Sequence, residues 1–221
     1  YLQEALRRAK ELRNEALSAT ILNNLGNLLT AQKKYSEASA AYRESAALAT
    51  LGNNPSLSAG AMINAAMASI QDKQASSAKA LLDRAWEQIQ TLPPTHDKAS
   101  GLINIGLGFL SLRSSLPDAK DSFLLVAHQR FSEAGTVADA IGDRRVSSYA
   151  WGHLGKLYEE EHRYPEALQL TRRAINAAQQ VNAPESLYRW EWQTGRLLTK
   201  LASVDDALGA YRRAVRTLQS I

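Results

Sequence analysis

The chain has no cysteine. That excludes disulfides, thiolate metal sites and a cysteine nucleophile, and it leaves the compartment open. Glycine and proline are few, 12 and 6 in 221 residues, and most of the glycines lie singly within helical stretches. No glycine-rich phosphate loop can be built from them. No apolar run approaches the ~20 residues of a membrane-spanning helix, so no membrane partner is expected. Neither sign of charge dominates: 26 basic against 22 acidic residues leave a net +4, with the charges interspersed. A nucleic-acid binder concentrates its basic residues in a stripe, so no nucleic-acid partner is expected either. His96, His128, His153 and His162 form no His-x3-His pair with an acidic neighbour, which argues against a metal site. Serine and aspartate are common but make no nucleophile motif with histidine. The expectation is a protein with no catalytic residue, no metal and no cofactor.

What is present is alanine and leucine, within a 45% hydrophobic composition in which valine is scarce. This favours helix over strand and suffices for a continuous core. One series of small residues organises the whole chain: Gly26, Ala66, Gly106, Gly155 and Gly195, spaced by 40, 40, 49 and 40 residues. A second series follows 12 residues behind: Ala38, Ala78, Ala167 and Ala207, with Ala127 in the third unit after 9 extra residues. Two small residues at a fixed offset and period identify a repeat array. The reading is that each pair lets two antiparallel helices approach closely, Gly26 facing Ala38 and Gly195 facing Ala207. Leu22, Leu25 and Leu29 flank one point, Tyr35 and Tyr42 the other. A single such hairpin cannot bury its apolar face, so neighbours must stack.

In order, residues 1–17 read as one helix, a half-repeat, with a turn at 14–18. Repeats follow at 19–51, 57–92, 97–142, 145–181 and 185–221, forming a single array over 1–221. Gly52-Asn-Asn-Pro55, Pro93-Pro94, Gly142-Asp143 and Asn182-Ala-Pro184 punctuate them. Pro117 and Pro165 suit the first turns of the helices they open. The sequence opens at Tyr1 already in helical register and ends without a polar capping helix. The expectation is a piece of a longer protein.

NNLGNLL, KKYSEASAAY, HLGKLYEEEHRYPEALQLTRRA and GRLLTKLASVDDALGAYRRAV resemble tetratricopeptide repeats. The resemblance covers nearly the whole sequence. Its 40-residue period departs from the usual 34 and is similar to the longer repeats of kinesin light chains. The fold it implies is an all-α, right-handed superhelical solenoid of helical hairpins, the first helix of each lining a concave groove. The run from Leu22 to Leu92 and the segment APESLYRWEWQTGRLL also resemble the repeat region of bacterial CHAT-domain proteins. There the repeats precede a caspase-like protease, of which nothing here matches the catalytic core.

The sharpest candidate feature is an amide series. Asn24, Asn64 and Asn104 each precede the small residue of their unit by two, and His153 and Gln193 hold the same place later. Asn23 and Asn27 add amides beside the first. An amide offers a donor and an acceptor, which suits a peptide backbone of any sequence. Some peptide-binding repeats resemble this pattern; the same amides could equally bridge neighbouring helices, and the sequence leaves both readings open. Helical phase adds Ile63, Met67, Ile70, Ile103 and Leu107 to the concave lining of the middle units. It adds Tyr149, Lys156, Arg189, Trp192 and Arg196 to that of the last two. Of Trp190 and Trp192, one reads as core and one as groove. Asn23, Ile63 and Ile103 stand where a carboxylate clamp for chaperone tails would need lysine, which argues against such a ligand. Glu159-Glu-Glu161 reads as a solvated helix end. The function this implies is a scaffold binding an extended segment of a protein or peptide partner. The alternatives are a non-catalytic regulatory arm of a larger caspase-like protease, or a homo-oligomer assembled through uncapped ends.

Overall fold

The computed structural model describes residues 1–221. It is all-α, with eleven helices and no strand. They are α1 (Leu2–Glu11), α2 (Glu15–Ala31), α3 (Tyr35–Leu51), α4 (Pro55–Gln71), α5 (Ala75–Ile89), α6 (His96–Leu112), α7 (Lys120–Ala140), α8 (Arg144–Glu160), α9 (Tyr164–Gln180), α10 (Pro184–Lys200) and α11 (Val204–Gln219). The protein divides into two compact units, residues 1–93 with 104–127 and residues 94–103 with 128–221. In the first, α2 packs on α3, α3 on α4 and α4 on α5, and α2 also meets α4. In the second, α8 packs on α9, α9 on α10 and α10 on α11, and α8 also meets α10.

The 40-residue period has a local origin. Helices α2, α3, α4, α8, α9 and α10 are each 17 residues long, and connectors of three residues follow them. Every connector is built alike. Its middle residue takes the left-handed backbone conformation: Arg13, Lys33, Asn53, Lys73, His162, Asn182 and Ala202 have φ between 46° and 60°. The next N–H then reaches back five residues to a helix carbonyl, as from Lys34 to Leu29 and from Ser203 to Leu198, each at 2.9 Å. This is the Schellman closure of a helix C-terminus. Gly142, φ 73°, serves it with glycine; elsewhere a residue with a Cβ accepts about 1 kcal/mol of strain. Gly52 has an ordinary φ of −77°, and Asn53 beside it makes the turn.

Four helix starts are capped by side chains, one of them by Thr95, which accepts the N–H of Lys98 at 3.3 Å. Asn14, Asn54 and Asp143 accept the N–H of Leu17, Leu57 and Val146 at 3.0, 3.0 and 3.1 Å. The first of these corrects the reading of 1–17 as one helix. Arg13 makes the turn, Asn14 caps, and α2 begins at Glu15. The third hairpin carries its extra residues in a longer connector, 113–119, whose Pro117–Ala119 is a 3-10 turn, and in α7, which has 21 residues.

The glycines also need a correction. A Cβ on Gly26 would lie 2.5 Å from the ring of Tyr42, and one on Gly195 would lie 2.5 Å from Tyr211. The glycine makes room for an aromatic ring one turn beyond the expected alanine. Ala38 and Ala207 are buried nearby but are not the closest contact. Gly135 and Gly152 play the same part for the rings of Trp151 and Trp190.

Candidate functional site

In the first unit the exposed face of the first helices carries the amides. Asn24 and Asn27 on α2 and Asn104 on α6 are exposed, and Asn64 on α4 is half-buried. Their bonding differs. Asn64 Nδ2 donates to Asn23 Oδ1 at 3.2 Å, a bridge from α4 to α2. Asn27 Oδ1 accepts the Tyr42 hydroxyl at 2.8 Å. Asn23, Asn27 and Asn64 thus have roles inside the fold, while the Asn24 and Asn104 side chains point their donors and acceptors at solvent. Ile63 is 3% exposed and belongs to the packing between helices. Met67 and Ile70 are half-buried at the surface. Gly60, one turn before Asn64, has nothing within 4 Å of where a Cβ would stand.

In the second unit the corresponding face is aromatic and basic. His153 is half-buried on α8. Its ring stacks on Phe131 of α7, centroids 5.6 Å apart, and meets Trp190 of α10 edge-on at 5.5 Å. Tyr149, one turn earlier, lies 6.3 Å from His153 and 6.2 Å from Trp190. Burial first, then the charges of Lys156 and Arg189, pull the His153 imidazole down to about 4, so at neutral pH it is uncharged. Lys156 and Arg189 are exposed. Lys156 has no carboxylate partner, and Arg189 donates only to the Glu185 carbonyl of its own helix, at 3.1 Å. Arg196 is instead held by Glu159 in a two-pronged pair, both bonds 2.8 Å. Glu159 is therefore half-buried structure, not part of a solvated helix end. Gln193 also turns inward: it is 2% exposed, and Nε2 donates to Thr171 Oγ1 at 2.7 Å and the Gly152 carbonyl at 3.3 Å. The two tryptophans separate, Trp190 buried with its indole N–H on Ser148 at 2.9 Å, Trp192 47% exposed.

The sequence reading missed Phe131, the wall behind His153, and Asp139. Asp139 accepts from Ser147 at 2.6 Å, Trp151 at 3.2 Å and Arg173 at 2.5 Å. Burial pushes its carboxyl up, and these three donors outweigh that and hold it below the usual carboxylate range. The Arg173 guanidinium lies 3.7 Å above the Trp151 ring. This hub fixes α7, α8 and α9 beneath the aromatic face. Its partners are scattered over 34 residues, which no local motif announces.

Chemically, the first unit offers unpaired amides to a main chain, and the second offers rings and unpaired cations to apolar and anionic groups. The tetratricopeptide repeat family model matches residues 18–54. No curated protein sequence matches the chain. BtubC (BKLC) of P. vanneervenii is similar in structure, with a TM-score of 0.82 and 18% identity, over 99% of this chain and 87% of that one. A putative kinesin light chain of Podosopora anserina with nearly identical TPR-like repeats has a TM-score of 0.68 and 10% identity, over 89% and 92%. The Rap conjugation gene regulator of plasmid pLS20, solved with the Phr* peptide, has a TM-score of 0.57 and 16% identity, over 96% and 56%. Residues 18–54 match a tetratricopeptide repeat, and the fold of the protein is that of tetratricopeptide-type helical solenoids.

Proposed function

We propose that this protein is an interaction scaffold that takes an extended segment of a protein or peptide partner along the exposed faces of its first helices. The observation that carries the reading is the pair Asn24 and Asn104. They stand at the same repeat position on α2 and α6, exposed and without a partner inside the fold. Each presents one donor and one acceptor outward, the pair of groups that a peptide bond complements. The Rap regulator, a structural relative, has been solved with a bound peptide, which accords with this use of the fold. Asn64 and Asn23 hold the two faces in register, and Met67 and Ile70 give apolar contacts beside them. On the second unit, Tyr149 and Trp192 offer rings, and Lys156 and Arg189 favour a partner with acidic residues.

The test is selection of peptides from a phage-displayed library of unstructured dodecapeptides on the parent protein. The selected peptides are then titrated against Asn24→Ala with Asn104→Ala. Loss of two backbone-directed hydrogen bonds should weaken binding about tenfold to a hundredfold. Melting should be unchanged, because neither amide bonds within the fold. Equal affinity for parent and variant would move the site off this face.

Self-assembly is a second reading with its own observation. Trp192, Tyr211, Arg212, Val215 and Arg216 line an open pocket of about 540 Å³ on α10 and α11. Light scattering across a hundredfold concentration range decides it: a constant mass of one chain, 24.2 kDa, rules it out.

A further inference from the structure

The last repeat breaks the register of the one before it at a single place. In the earlier repeat Trp151 is buried, and the Arg173 guanidinium covers its ring at 3.7 Å. Forty residues on, the same positions hold Glu191 and Arg213, and Gly209 stands where the earlier repeat has Gln169. These three residues line an open pocket of about 410 Å³ among α9, α10 and α11. Small-molecule sites usually span about 300–1,000 Å³. Gly209 keeps the pocket clear: a Cβ there would meet only the far end of Arg213, at 3.6 Å.

Glu191 is the feature that packing leaves unexplained. It is 5% exposed and lines the pocket. Its Oε2 accepts the Thr217 hydroxyl at 2.7 Å, and no other group of the fold answers the carboxylate. Taking a carboxylate out of water is costly unless a cation or several donors meet it. Asp205 and Asp206 add two carboxylates from the first turn of α11, where acids also suit the helix dipole. Arg172 and Arg213 line the same pocket, and neither forms an ion pair. Three carboxylates against two guanidiniums leave it with an excess of negative charge. Ile175 and Leu198 supply aliphatic wall.

We propose that this pocket binds a lysine or arginine with a free carboxylate, either the free amino acid or the last residue of a peptide. The cationic side chain pairs with Glu191, its aliphatic stem lies on Ile175 and Leu198, and the carboxylate pairs with Arg172 and Arg213. The α-ammonium of a free amino acid would add a positive charge to answer Asp205 and Asp206. The site shares no residue with the face proposed for the partner segment, so either can fail alone.

The experiment is calorimetric titration of the protein with L-arginine and L-lysine, and with their Nα-acetyl forms, which stand for the end of a peptide. Citrulline and norleucine keep the carboxylate and remove the side-chain charge. Acetyl-arginine amide and acetyl-lysine amide keep that charge and remove the carboxylate. At least one basic acid should bind saturably at roughly millimolar concentration or below. The citrulline, norleucine and amide controls should bind at least tenfold more weakly. Binding confined to the unblocked amino acid identifies a free ligand, and binding of the acetyl form identifies a peptide terminus. Glu191→Gln keeps an acceptor for Thr217 and should weaken binding at least tenfold, as should Arg172→Gln with Arg213→Gln. Gly209→Leu fills the pocket and should abolish binding with the circular dichroism spectrum unchanged. Absence of saturable binding by every basic acid overturns the proposal. Equal binding of the controls, or unchanged affinity in Glu191→Gln, overturns it as well.

Discussion

Replacing Gly26 by alanine poses the sharpest question for the packing, because propensity and structure give opposite answers. By helix propensity alone, alanine for glycine inside a helix should stabilise by about 0.5–1 kcal/mol. In the structure the new methyl would lie 2.5, 2.6 and 2.8 Å from three atoms of the Tyr42 ring. The ring must retreat by about 1 Å to restore van der Waals contact. It has nowhere to go: Tyr42 is 3% exposed, and its hydroxyl is fixed by Asn27 at 2.8 Å and Thr30 at 3.2 Å. Overpacking costs about 1–3 kcal/mol, and losing the hydroxyl's bonds adds about 1 kcal/mol. Against the propensity gain, the net should be about 2 kcal/mol of destabilisation, or roughly 4–8 °C in melting temperature for a protein this long. Gly60→Ala is the matched control. It lies within helix α4 with nothing within 4 Å, so it should stabilise by up to about 1 kcal/mol. Urea unfolding followed by circular dichroism compares the two directly. A Gly26→Ala variant as stable as the parent would refute the steric argument.

Two further predictions come from other parts of the fold. His153 is pulled down to about 4 from its ordinary 6.5. The folded protein therefore binds fewer protons than the unfolded one between those values, and stability is lost as the pH falls from about 6.5 through 4. The loss reaches up to about 3 kcal/mol; His153→Phe, which keeps the aromatic packing, should remove that part of the slope, and an unchanged slope counts against it. Ala202, at φ 59°, holds a connector in the left-handed conformation. Ala202→Gly should raise stability by up to about 1 kcal/mol despite glycine's entropy, and a lower urea midpoint would show that the connector is unstrained.

The repeat was legible because it follows from spacing. Helices of 17 residues and connectors of three return the same residue type every 40 positions, and Gly26, Gly155 and Gly195 reveal that register without any structure. The partner of each glycine was not legible. Ala38 and Tyr42 lie one turn apart on the same face, and a sequence shows the face but not which of the two reaches across. The amide series shows the same limit. Asn24, Asn64, Asn104 and Gln193 share a repeat position. The depth of each depends on what its neighbours leave open, and Gly152 and Thr171 leave space that Gln193 fills. His153 as the centre of an aromatic cluster needed Phe131, 22 positions away on a helix whose register the insertion had shifted. The connectors were only half visible, since lysine, arginine, histidine and alanine take the left-handed position that glycine or asparagine usually announces.

The central claim is that a partner segment lies against the first helices and not the second. A photo-crosslinking residue placed at Met67 on α4, and separately at exposed Arg84 on α5, tests it with a library-selected dodecapeptide carrying a fluorescent tag. The account predicts labelled peptide joined to the Met67 derivative, little to the Arg84 derivative, and suppression by excess unlabelled peptide. Joining through Arg84 alone, or equally through both, would contradict it.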